Sequence, residues 1–140
     1  MNTEVLYANS KNSFQIQRIQ QAEVLVLKFK GNLSHYEYMA GFDKLYHFYK
    51  VHEYFKIILD YQELGRVSIA SRIWFILHFA PKLYAPNIRA ACVTYQNIAS
   101  QIALQTIREE LQERGYPLQL QHFDSMTNAL NWFAAQEVLE

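Results

Sequence analysis

Residues 55–61, Phe55-Lys56-Ile57-Ile58-Leu59-Asp60-Tyr61, form a nearly unbroken apolar run that leads into an acidic elbow, Gln62-Glu63-Leu64-Gly65. A run of strand length with apolar residues at consecutive positions suits a strand covered on both faces. Such a strand needs a layer above and a layer below it. The flanking sequence supplies material for both. Strand-type runs at 13–19, 23–29, 88–95 and 118–123 accompany it, and four amphipathic helical patterns follow the first pair. The order ββαβαβαβα predicts one α/β domain across residues 1–140, with an extra strand where Val5 to Tyr7 alternates.

The first pair is separated only by Gln20-Gln21-Ala22, which predicts an antiparallel hairpin. Each later strand is reached through a helix. Right-handed crossovers then make the remaining sheet largely parallel, with the hairpin as its antiparallel edge. Ser34 and Glu37 have the spacing of a capping box, so a helix is expected over about 35–50 with Tyr38, Met39, Phe42, Leu45, Tyr46 and Tyr49 inward. Ser68 is the N-cap of a second helix that reaches about residue 80. Its inward stripe reads Ile69, Ile73, Ile76, Leu77 and Ala80, which sends Trp74, Phe75 and Phe79 away from the core. Pro81 and Pro86 bracket a loop. A third helix, about 98–114, ends at Gly115 in the left-handed conformation. Its Arg108 is expected to face water. Asp124 or Ser125 caps the last helix.

Composition excludes several functional classes. Thirteen basic and 13 acidic residues leave no net charge and form no polybasic run, so a nucleic-acid partner is not expected. The start has neither a basic nor a long apolar segment, and no apolar stretch reaches the length of a membrane span. A cytoplasmic location is therefore expected. Cys92 has no second cysteine to pair with and sits in an apolar run, as a buried structural thiol would. The histidines His35, His47, His52, His78 and His122 follow no metal-ligand spacing, and no glycine-rich phosphate loop is present. Neither a metal nor a cofactor is expected. Tyr 10, Phe 9 and Trp 2 are more rings than one small core was expected to hold, which points to a partner surface.

Three stretches together resemble the SpoIIAA-like family, relatives of the STAS (sulfate-transporter and anti-sigma-factor-antagonist) domains. Leu27-Lys28-Phe29-Lys30-Gly31-Asn32-Leu33-Ser34-His35-Tyr36-Glu37-Tyr38 is similar to that family's entry from strand through glycine to capped helix. Ile57-Ile58-Leu59-Asp60-Tyr61 is similar to its central strand. Phe123-Asp124-Ser125-Met126-Thr127-Asn128-Ala129-Leu130-Asn131-Trp132-Phe133 is similar to its closing strand–helix join. The resemblance implies a mixed sheet flanked by helices and a non-enzymatic role: regulation through a protein partner, as in anti-sigma-factor antagonists, or binding of a lipid or small apolar ligand. It also places the family's phosphorylated Ser or Thr nearest to Ser68. The family's Asp-Ser-Ser/Thr-Gly character is replaced here by Leu64-Gly65-Arg66-Val67-Ser68, which speaks against a phosphoryl switch.

The candidate working surface is the end of the central strand and the helix beyond it. Asp60 and Glu63 are placed where open α/β sheets bind ligands. Arg66, Ser68 and Arg72 follow, with basic side chains beside the start of a helix. Trp74, Phe75 and Phe79 are the candidate self-association face of a homodimer. A paired-carboxylate enzyme built on Asp60 and Glu63 is the weaker alternative.

Overall fold

The computed structural model describes residues 2–83, 88–93, 98–115 and 119–139. Six strands form one sheet in the order of the chain: β1 (Thr3–Ala8), β2 (Phe14–Ile19), β3 (Val24–Gly31), β4 (Lys56–Leu64), β5 (Arg89–Val93) and β6 (Gln119–Phe123). The β1–β2 and β2–β3 pairs are antiparallel, and β3 to β6 are parallel. The Val5–Tyr7 alternation is thus a full edge strand. The hairpin link is a 3₁₀ turn over Gln20–Ala22, closed by Glu23 in the left-handed conformation.

Four helical pieces cover the sheet. They are α1 (His35–His52), a composite second helix, α4 (Ile98–Glu113) and α5 (Met126–Leu139). The composite runs as α2 (Ile69–Trp74), a π turn (Phe75–Phe79) and α3 (Ala80–Leu83). Because each parallel strand is added on the same side of the last, right-handed crossovers put α1, the composite helix and α4 on one face. The helix after β6 folds back over the other face. The core divides accordingly. Leu25, Leu27, Phe29, Ile57 and Leu59 pack with Phe42, Leu45, Phe75 and Phe79 on the first face. Val24, Val26, Ile58, Ala91 and Val93 pack with Ala129 and Phe133 of α5 on the second.

Local chemistry fixes the helix ends. Glu37 N–H donates to Ser34 Oγ (3.1 Å) and Ser34 N–H to Glu37 Oε1 (3.2 Å), which completes the capping box. Ser125, not Asp124, caps α5 by accepting from Asn128 N–H (3.1 Å). Gly115 ends α4 at φ +82°. The second helix departs from expectation, because it continues through Pro81 instead of stopping before it. Proline has no N–H to give and crowds the preceding turn. The chain widens there, and Ala80 N–H bonds back five residues to Phe75 O. Arg108 also departs from expectation: its Nε donates to the Leu120 carbonyl (2.5 Å) on the edge strand β6, which ties α4 to the sheet.

Candidate functional site

The loops after β3 and β4 are stitched together into one elbow. Gly65 N–H donates to Gly31 O (2.8 Å), and Arg66 N–H to Asn32 Oδ1 (2.9 Å). A side chain at Gly65 has no room, because its Cβ would stand 2.2 Å from Asn32 Oδ1. Ser68 then caps α2 by accepting from Ser71 N–H (3.1 Å). Its hydroxyl also bonds Ser71 Oγ (2.9 Å), which in turn bonds His35 Nδ1 (2.8 Å). This chain of three side chains joins the first turns of α1 and α2. Ser71 is buried within it.

Beyond the elbow lies a cavity of about 460 Å³, set over the carboxyl ends of β4, β5 and β6 between the composite helix and α4. Sheet register builds its floor. Leu59, Cys92 and His122 are direct partners on neighbouring strands and so point the same way. Val67, Phe75 and Ile107 add apolar wall. Arg66 and Arg72 are exposed and also line it, and no acidic residue does among the described residues.

Burial sets the electrostatics of the cavity. It pushes the Cys92 thiol up to about 12, aided by the Asp60 charge, so at neutral pH the sulfur is protonated and a poor nucleophile. Burial also raises the Tyr38 and Tyr61 phenols. His122 is held below the ordinary imidazole range by burial and then by Arg108. Its Nε2 is buried and finds no partner among the described residues. Among those residues, no three His, Cys, Asp or Glu side chains gather as metal ligands, and no helix is long and apolar enough to cross a membrane.

The structure brings together only some of the residues that the sequence singled out. Arg66 and Arg72 meet at the cavity, and Ser68 stands at the head of the helix between them. Asp60 and Glu63 lie apart from it. Asp60 alternates with Leu59 and Tyr61 and therefore shares the α5 face with Ile58. Its Oδ1 accepts from Gln62 N–H (3.1 Å), while Glu63 pairs with Lys28 (2.9 Å). They form no paired-carboxylate site within the cavity. The aromatic trio is also corrected. Phe75 is 4% exposed, Phe79 is 0% exposed and Trp74 is half-buried, because these rings pack on Phe42 and Tyr38. The outward stripe is instead Ile69, Ile73 and Leu77, at 73%, 51% and 42% exposure.

Two solved structures share this arrangement over nearly the whole chain. One is an uncharacterized protein of the DUF3478 family with a SpoIIAA-like fold from Shewanella loihica PV-4. It is 20% identical with a TM-score of 0.59, and the match covers 95% of this chain and 96% of that one. The other is the anti-sigma factor antagonist SpoIIAA in its unphosphorylated form. It is 16% identical with a TM-score of 0.59, and the match covers 89% of this chain and 96% of that one. The chain has a SpoIIAA-like fold. It matches no protein-family model and no curated protein.

Within this SpoIIAA-like fold, Tyr38, Tyr61, His35 and His122 are the site residues that sequence reasoning missed. Only His122 left a trace in the sequence, since an aligned parallel strand places it beside Cys92. Tyr38 is at once part of the core and part of the cavity wall.

Asp60 gives a pH signature for the SpoIIAA-like sheet. Burial raises its carboxyl, and the Gln62 N–H and the Lys28 charge offset this only in part. The folded state then binds more protons than the unfolded state as pH climbs out of the ordinary carboxylate range, so stability falls across that window. Asp60→Asn keeps the acceptor oxygen and removes the charge. The variant is expected to melt above the wild type at neutral pH, with the gap closing as pH drops below the ordinary carboxylate range. Melting curves across that range test this, and a constant gap of either sign would refute it.

Proposed function

We propose that this chain is a non-enzymatic binding domain that docks a protein partner through the outer face of its composite helix. The carrying observation is the stripe Ile69, Ile73 and Leu77, spaced four apart and turned to water. Single exposed apolar residues are ordinary, but three in line make a patch of the kind that partners cover. Arg66 and Arg72 flank it without an ion pair among the described residues. The matching partner surface is therefore an apolar ridge with acidic neighbours. A structural neighbour named as an anti-sigma factor antagonist supports a role of this kind. Ser68 adjoins the patch and is where a phosphoryl group would act on it. The positions of Asp60 and Glu63 away from the cavity, and the protonated thiol of Cys92, support the non-enzymatic side of the proposal.

The test is a partner identified by cross-linking in cells and then titrated against purified protein. Ile73→Glu is expected to weaken binding tenfold or more, because it puts a charge in the middle of the patch. Val51→Glu, at a 61% exposed position on α1, should leave binding unchanged. Equal affinity of both variants would remove the surface from consideration. If the partner proves to be a second copy of the chain, the same substitution should abolish the dimer in sedimentation experiments.

The cavity favours a second reading, that the domain holds a small apolar molecule. Its volume lies in the range of ligand sites, and its walls are mostly hydrocarbon and aromatic.

A further inference from the structure

We propose that the cavity binds an anionic amphiphile, with its carboxylate or phosphate head held by Arg66 and Arg72 at the rim and its apolar body seated over β4–β6. This rests on the ligand reading above and adds the charge and shape of the ligand.

The charge follows from the rim. Both arginines line the cavity, and among the described residues no acidic side chain does. Three cations elsewhere have acidic partners: Arg18 with Glu4, Lys28 with Glu63 and Arg114 with Glu110. Arg66 and Arg72 have no such partner among the described residues. Two guanidinium groups on one rim present forked donors suited to a carboxylate or phosphate.

The body follows from the interior. Leu59, Phe75, Cys92, Ile107 and Leu120 line it with hydrocarbon, aromatic ring and protonated thiol. A charged head placed inside would lose its water for at most the single His122 ring, whereas at the rim it meets two arginines. At about 30 Å³ per non-hydrogen atom, a volume of about 460 Å³ holds about fifteen such atoms. That is the size of a medium-length acyl chain with its head.

The test uses the full chain, stripped of co-purifying lipid and titrated calorimetrically with dodecanoate, dodecyl phosphate and dodecanol. At least one of the two anions is expected to bind tenfold or more tightly than the alcohol, and the stronger of the two identifies the head. In Arg66→Gln/Arg72→Gln that preference should disappear while dodecanol binding is unchanged. Both positions are exposed, so the fold should tolerate the change. Ile107→Trp fills the cavity and should reduce binding of all three compounds at least tenfold, provided its melting temperature stays near the wild-type value. If the anions and the alcohol bind equally, the charged-head proposal fails and the apolar-ligand reading stands. If none of the three binds, both fail. If the double arginine variant keeps its preference for the anion, the rim assignment is wrong.

Discussion

Phe42→Ala is expected to destabilise the protein by roughly 3–5 kcal/mol, the range for deleting a fully buried ring. Phe42 has no exposed surface and stands among five other rings. Its centroid lies 4.7 Å from Phe79, 4.8 Å from Tyr38, 5.2 Å from Phe75, 5.7 Å from Phe29 and 6.1 Å from Trp74. These neighbours come from α1, β3, α2 and the π turn, so no single shift closes the hole. Aromatic pairs add about 0.5–1.5 kcal/mol each beyond the area they bury. The total stability of a domain is only about 5–15 kcal/mol, so this one side chain carries a large share of it. Denaturant titration of wild type, Phe42→Leu and Phe42→Ala should give a graded loss, with leucine between the other two. A loss under about 1 kcal/mol for alanine would mean that the rings are not packed as described.

Gly41→Val should be the next most damaging change, at about 1–3 kcal/mol or more. A Cβ at Gly41 would stand 2.7 Å from Phe29 Cε1 and 3.0 Å from Phe29 Cζ. Phe29 cannot retreat, since it is fully buried and stacked on Tyr38 at 5.5 Å. In an open helix, replacing glycine by alanine gains about 1 kcal/mol. At Gly41→Ala that gain opposes the steric cost, which leaves a small net loss. Valine adds two methyl groups and surrenders part of the propensity gain. Thermal melts of the pair should therefore rank wild type, then alanine, then valine. A valine variant as stable as the wild type would show that α1 rides higher on the sheet than the structure places it.

The order of strands and helices was legible because each element announces itself locally. Ser34 with Glu37, Gly115 and the 20–22 link all mark boundaries, and the structure bears out each of them. The orientation of the second helix was not legible. That segment is apolar on nearly every side, so periodicity offers two inward faces of similar quality. Tertiary packing chose the one that puts Phe75 and Phe79 against Phe42. Pro81 then shifted the helix phase through the π turn, which no simple repeat anticipates. Asp60 was misplaced for a different reason. Strand alternation gives it the parity of Ile58, whereas its position at the strand end carries no information about face. Only the Arg66–Arg72 edge of the cavity had a local sign, because the rest of its lining comes from α1, β4, the π turn, β5, α4 and β6. The loop expected between Pro81 and Pro86 falls partly outside the described residues.

Because neighbours in the sheet are also neighbours in the chain, the domain can assemble in step with its own synthesis. Each strand emerging from the ribosome finds its partner already in place, and no gap must be held open for a later arrival. The exception is the face under α5. Val24, Val26, Ile58, Ala91 and Val93 have no helical cover until residues 126–139 have been made. A chain lacking that last segment would leave this apolar flank bare, so the final helix is the lid that closes the second half of the core.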